Sequence, residues 1–80
     1  MSAEIERARA VLGNALGLSP DAIALDATVH DLDGWDSLGH MRIVAAIESE
    51  TGTILSPEQI LGLSSLHDVV EILSRTESQG

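Results

Sequence analysis

Three stretches of the sequence place apolar residues three and four positions apart, which is the spacing of one face of an α-helix. They are residues 3–16, residues 37–51 and a last stretch that starts at Leu66. Ser56 and Pro57 predict a short additional helix that runs to about residue 61, because Ser is a common N-cap and Pro suits the first helical position. Ser65 and Asp68 have the spacing of a capping box before the last helix. The sequence therefore predicts an all-α fold, a four-helix bundle with three longer helices and one short helix.

The side chains available for the core support this fold. Hydrophobic residues make up 44% of the 80 positions, but there is no Phe, no Tyr, no Cys and a single Trp. The core must therefore consist of aliphatic side chains, which favours a compact helical bundle in one domain over residues 1–80. We expect residues 3–75 to be ordered and residues 76–80 to fray. Without cysteine the chain has no disulfide, no Cys nucleophile and no thiolate metal site.

The predicted second helix carries six apolar residues at helical spacing. These are Leu38, Met41, Ile43, Val44, Ala45 and Ile47, and their spacing predicts one broad apolar face. Glu48 and Glu50 lie toward its C-terminal end, where the helix dipole disfavours acidic side chains. This placement costs a little folding stability. We therefore interpret the two acids as residues that bind a partner.

A long loop, residues 18–36, separates the first two predicted helices. Five apolar residues are expected to anchor it to the bundle: Leu18, Ile23, Leu25, Val29 and Leu32. It also carries five acids and no basic residue: Asp21, Asp26, Asp31, Asp33 and Asp36. Long loops in small domains are often functional, so this one is a candidate site.

The charge balance limits the class of partner. The formal net charge is −9, with 13 acids against four basic residues, all of them Arg. Nucleic acids and anionic membranes are bound through many basic side chains, so the sequence predicts neither as a partner. An acidic chain is instead attracted to basic protein surfaces. The N-terminus has no signal-peptide pattern and no apolar run is long enough to span a membrane, so a cytoplasmic monomer is expected.

The segment DGWDSLGHM, residues 33–41, contains residue types that occur in catalytic sites and in metal sites. Asp36, Ser37 and His40 are the residue types of a hydrolytic triad, but Asp36 would point away around the helix. A calcium loop that started at Asp31 fails at three positions, which are Trp35, Asp36 and Arg42. The three histidines also lack the spacing of zinc ligands. We therefore expect no catalytic residue and no metal site.

Ser37 has two interpretations at the predicted start of the second helix. It can cap the helix, as can Asp36 before it. It can also be a site of covalent modification, because free N–H groups and positive potential at a helix N-terminus suit a phosphate ester.

The residues that flank Ser37 favour covalent modification, because they resemble those of a known protein family. The run DLDGWDSLGHMRIVAAIE, residues 31–48, resembles the acyl carrier and peptidyl carrier protein family, whose hallmark Asp-Ser-Leu unit is matched by Asp36, Ser37 and Leu38. VLGNALGL and SPEQILGLSSLHDVVEIL extend the resemblance over nearly the whole chain. It implies a carrier, not an enzyme, which holds 4′-phosphopantetheine from coenzyme A on Ser37 and transports acyl or aminoacyl groups as thioesters in fatty-acid, polyketide or related biosynthesis.

The resemblance also implies partners and a docking surface. The partners would be a phosphopantetheinyl transferase, an acyl-loading ligase or acyltransferase, and a ketosynthase or another biosynthetic enzyme with a basic patch. The docking residues carried over are Asp36, Leu38, Met41 and Glu48, with Trp35 as a further candidate. Met41 can equally be a core residue, and Trp35 can equally anchor the loop to the bundle.

Three residues depart from the usual family pattern. Many fatty-acid carriers have an acid where this chain has Gly39, another acid near the position of Arg42, and a small residue in place of Trp35. These departures are interpreted as marks of a specialised, free-standing carrier. Two rival functions remain open at this point: an unmodified acidic adaptor that binds a basic partner, and an esterase that depends on His40.

Overall fold

A computed structural model gives the fold of the protein and describes the backbone of residues 3–79 and the side chains of residues 3–75. These described residues form four α-helices: α1 (Ala3–Leu16), α2 (Ser37–Thr51), α3 (Pro57–Gly62) and α4 (Leu66–Gln79). The loop after α1 contains one 3-10 turn, Pro20–Ala22. The predicted bundle of three longer helices and one short helix is confirmed. The fraying predicted for residues 76–80 stays a prediction: residues 76–79 belong to α4, and residue 80 lies outside the described part of the chain.

The core is aliphatic, as predicted, with Trp35 as its single aromatic side chain. α1 packs against α2 and α4. The buried apolar residues form one cluster: Ala8, Val11, Leu12, Ile23, Ala27, Leu32, Trp35, Ile43, Val44, Ile47, Leu55, Leu63, Leu66, Val69, Ile72 and Leu73. Four of these residues lie in the loop between α1 and α2, which is therefore part of the folded bundle.

Local side-chain contacts explain where the short and the last helix begin. Ser56 and Gln59 form a full capping box at the start of α3. Before α4, the Ser65 hydroxyl accepts from the Asp68 amide at 3.2 Å, as the predicted box requires. The Asp68 carboxylate, however, accepts from the Ser64 amide and not from the Ser65 amide. Asp is one methylene shorter than the usual Glu, so the return half of this box takes a different partner.

The loop is tied to the bundle by backbone hydrogen bonds as well as by packing. The Val29 amide donates to the Ser64 carbonyl at 2.8 Å, and the Leu66 amide donates to the Ala27 carbonyl at 3.0 Å. Together they bring the middle of the loop beside the start of α4. The prediction for Leu25 is wrong, because this side chain is exposed and does not anchor the loop.

The prediction of one broad apolar face on α2 is also wrong. The buried face consists of Gly39, Ile43, Val44 and Ile47. Leu38, Met41 and Ala45 are exposed instead. At 100° per residue these three positions fall together on the opposite side of the helix, which leaves an apolar stripe beside Ser37. Among the described residues, no helix combines the length and the apolar character that a membrane crossing requires.

Candidate functional site

Ser37 is the first residue of α2 and its side chain is exposed. The N-cap is Asp36, whose Oδ1 accepts from the Gly39 amide at 2.8 Å. The Ser37 hydroxyl has no hydrogen-bond partner among the described residues. Of the two residues that could cap α2, Asp36 therefore does so, and the hydroxyl of Ser37 is left available for chemistry.

Some backbone amides in the first turn of α2 have no hydrogen-bond acceptor within the described part of the chain. The Gly39 amide is bonded to Asp36, and the His40 amide donates to the Asp36 carbonyl at 2.7 Å. The amides of Ser37 and Leu38 have no acceptor within the described part of the chain. The helix contributes partial positive charge at this end, and no acidic residue lies in its first turn. An anionic phosphodiester on Ser37 therefore fits the local donors and the local potential.

Gly39 allows the loop to approach α2 at this point. A Cβ atom on Gly39 would overlap the carbonyl oxygen of Gly34 and would lie 2.9 Å from the Gly34 carbonyl carbon. Gly34 itself has a φ of 87°, a conformation that glycine adopts without strain. The sequence analysis interpreted Gly39 as one mark of a specialised carrier, whereas the structure gives this residue a role in packing.

His40 is held in a hydrogen-bond chain that does not include Ser37. The Trp35 indole Nε1–H donates to His40 Nδ1 at 3.0 Å, and His40 Nε2 lies 2.7 Å from the Ile60 carbonyl oxygen. Both ring nitrogens are thus occupied, and the Asp36 carboxylate is bonded to Gly39. The structure therefore does not assemble Asp36, Ser37 and His40 into a catalytic triad.

Two acids of the calcium-loop pattern that the sequence analysis rejected have local structural partners. Asp31 Oδ2 accepts from the amide and the hydroxyl of Thr28, at 3.0 and 3.1 Å, and Asp36 caps α2. The described residues contain no group of three or more His, Asp or Glu side chains arranged to hold a metal ion.

Some of the predicted docking residues have exposed side chains, whereas others are buried or hydrogen-bonded within the protein. Leu38 is 61% exposed and Met41 is 54% exposed, so both lie open beside Ser37. Glu48 is half-buried, and its Oε2 accepts from the Leu55 amide at 3.0 Å. Trp35 is only 7% exposed, which supports its interpretation as a loop anchor over that as a docking aromatic.

The two acids near the end of α2 have roles within the protein. Glu48 holds the loop before α3 through Leu55, and Glu50 pairs with Arg7 of α1 at 2.8 Å. These contacts offset the unfavourable position of the acids in the helix dipole. The sequence analysis had instead interpreted the placement of these acids as a feature that serves binding to a partner.

Sequence reasoning missed two further apolar side chains on the surface. Leu61 in α3 is 85% exposed, and Ile54 in the loop between α2 and α3 is also exposed. The adjacent apolar pair Ile60 and Leu61 in the short helix α3 could have indicated that one of the two is exposed, whereas no sequence pattern marks Ile54.

Comparison with known proteins identifies a matching protein family and relatives with similar sequences. A protein-family profile described as phosphopantetheine attachment site matches residues 6–73. A protein of Saccharopolyspora erythraea called acyl carrier protein is 31% identical over 67 residues, which cover 84% of this chain and 70% of that protein. The profile match extends from α1 into α4 and includes the exposed serine at the start of α2.

Proposed function

The chain belongs to the acyl carrier protein family, whose cofactor is 4′-phosphopantetheine, and from this we propose that Ser37 is its attachment residue. One observation carries the assignment. Of the serines at the starts of α2, α3 and α4, Ser56 and Ser65 use their hydroxyls to cap helices, whereas the Ser37 hydroxyl is exposed and has no described partner.

The attachment step needs a separate enzyme and coenzyme A. The Ser37 Oγ forms a new bond to phosphorus, and the pyrophosphate bond of coenzyme A breaks. The adenosine bisphosphate half of coenzyme A leaves, and the hydroxyl proton passes to a base of the phosphopantetheinyl transferase. Ser37 and Leu38 contribute free amides at the place where the new phosphodiester would lie. The group supplies a thiol that this cysteine-free chain lacks, and acyl or aminoacyl cargo would be carried on it as a thioester.

We propose that partner enzymes dock on the surface around Ser37. Leu38 and Met41 supply exposed apolar area, and Asp36 lies beside them in a chain of net charge −9. Basic patches on the transferase, on an acyl-loading enzyme and on a biosynthetic enzyme such as a ketosynthase would be attracted to this surface. Trp35 supports the surface from the core, and Glu48 contributes charge while it holds Leu55. Because coenzyme A is the donor, we expect this chemistry in the cytoplasm.

Mass spectrometry tests the attachment site directly. The chain is incubated with coenzyme A and a broad-specificity phosphopantetheinyl transferase, and one phosphopantetheine adduct is expected. Ser37→Ala should carry none. Ser49→Ala removes another exposed serine from the same helix, so this control variant should be modified like the wild type. An adduct that persists in Ser37→Ala would refute the assignment.

A further inference from the structure

The imidazole of His40 links three parts of the fold. Its Nδ1 accepts from Trp35 of the loop, and its Nε2 lies 2.7 Å from the Ile60 carbonyl of α3. An indole N–H can only donate and a carbonyl oxygen can only accept. His40 must therefore be the neutral tautomer that carries its proton on Nε2 and donates it to Ile60.

These hydrogen bonds bracket Ser37 in the sequence. Trp35 lies two residues before Ser37 and is buried in the core, and His40 lies three residues after it in the first turn of α2. The tryptophan and histidine rings also lie near each other, with centroids 6.3 Å apart. Both ends of the short segment that presents Ser37 are therefore held by one side-chain contact, and α3 is joined to that contact.

We propose that Trp35, His40 and the Ile60 carbonyl form a latch that positions Ser37 for its partners, and that protonation of His40 opens this latch. When Nδ1 takes a proton from water, both ring nitrogens become donors. The Trp35 N–H then faces another donor, so this hydrogen bond is lost. The latch is a property of the chain itself, whereas its effect on Ser37 rests on the proposed function.

No charged side chain around the latch takes over the role of the lost acceptor. The charged and titratable residues on the elements that meet at His40 are Asp21, Asp26, His30, Asp31, Asp33 and Asp36 of the loop, Arg42, Glu48 and Glu50 of α2, and Glu58 of α3. Asp36 is bonded to Gly39, and no described carboxylate pairs with the His40 imidazole. Protonation of His40 therefore acts on the hydrogen bond between Trp35 and His40.

The hydrogen bond can be observed directly because Trp35 is the only tryptophan. In NMR spectra of the unmodified chain recorded across a pH series, its single indole N–H resonance should move upfield as the solution is acidified, because a protonated imidazole no longer accepts. In His40→Asn the amide oxygen replaces Nδ1 as acceptor and is not protonated across the series, so the resonance should stay downfield. His30 is exposed and outside the latch, and His30→Asn should titrate like the wild type. A wild-type resonance that does not move, or one that still titrates in His40→Asn, would overturn the inference.

The consequence for Ser37 is measured with the transferase. In His40→Gln the side chain can still donate to Ile60 but no longer accepts from Trp35, and in Trp35→Phe the donor is removed. Loss of one hydrogen bond should raise KM for the carrier about fivefold at about pH 8 with kcat unchanged, because binding must then order the loop. The ratio of variant to wild-type KM cancels the transferase's own pH dependence, and it should approach one at the acidic pH at which the wild-type indole resonance has moved upfield. Circular dichroism confirms that each variant is folded.

The outcomes separate the latch from the proposed function. If the wild type is modified but His40→Gln has an unchanged KM at about pH 8, the positioning role is overturned and the proposed function stands. If no adduct forms on the wild type at any pH while the indole resonance titrates as expected, the proposed function fails and the latch stands.

Discussion

Gly39→Ala is the substitution for which the structure gives the sharpest expectation. The added Cβ would overlap the Gly34 carbonyl oxygen, and it would lie 3.2 Å from Leu16 Cδ2. The side chain of Leu16 can rotate away, but the Gly34 carbonyl is backbone in a loop that Trp35 fixes in the core. To make room, the loop and the start of α2 must move apart.

The magnitude follows from two opposing effects. Alanine improves helix propensity over glycine by about 1 kcal/mol. Overpacking against a fixed neighbour costs about 3 kcal/mol. The expected net loss in the free energy of unfolding is therefore about 2 kcal/mol, which for a domain of this size lowers Tm by roughly 8–16 °C.

Gly62→Ala is the matched control, because Gly62 is also helical and its Cβ would meet no atom within 4 Å. This variant should be as stable as the wild type or more stable, by up to about 1 kcal/mol. Urea unfolding followed by Trp35 fluorescence and by circular dichroism measures both variants. If Gly39→Ala unfolds at the wild-type urea concentration or above it, the close approach of Gly34 does not constrain this position and the argument is refuted.

Substitutions at three further positions test the assignments at both ends of α2. Asp36→Ala should lower the free energy of unfolding by about 1 kcal/mol through loss of the cap, whereas Asp36→Asn should keep most of it; equal losses in urea would contradict capping by the side-chain oxygen. Ser37→Ala should change stability by less than about 0.5 kcal/mol, since its hydroxyl has no described partner, and a larger loss in thermal unfolding would assign it a structural role. Glu48→Ala should cost about 1–2 kcal/mol because the Leu55 amide loses its acceptor, and Glu48→Gln should restore most of this in the same urea assay.

Local signals explain why the helices could be predicted from the sequence. The bounds predicted for α1 and α2, residues 3–16 and 37–51, agree with the structure. Their ends depend on residues close in sequence, such as Asp36 before α2 and Gly52 after it, whose φ is 72°. The apolar spacing inside each helix is likewise a local pattern. Nothing in these features requires knowledge of the rest of the fold.

The orientation of α2 could not be predicted in the same way. Its buried face includes Gly39, which has no apolar side chain and is therefore invisible to a search for apolar spacing. Leu38 and Met41 fit a helical stripe equally well, although this stripe is the exposed one. Which face of α2 is buried depends on the face that the loop at Gly34 can approach. This is a tertiary contact, which local sequence patterns do not reveal. The same holds for Glu48, because its partner Leu55 lies beyond the end of the helix.

The three departures from the family pattern can now be separated by where they lie. Trp35 is buried and bonded to His40, and Gly39 is covered by the loop, so both have reasons within the fold. Arg42 is different, because it is exposed on α2 and forms no ion pair with a described residue. A positive charge one turn beyond Leu38 would repel the basic patch of a partner that expects an acid there. We therefore propose that Arg42, of the three departures, is the one that contributes to the choice of partner.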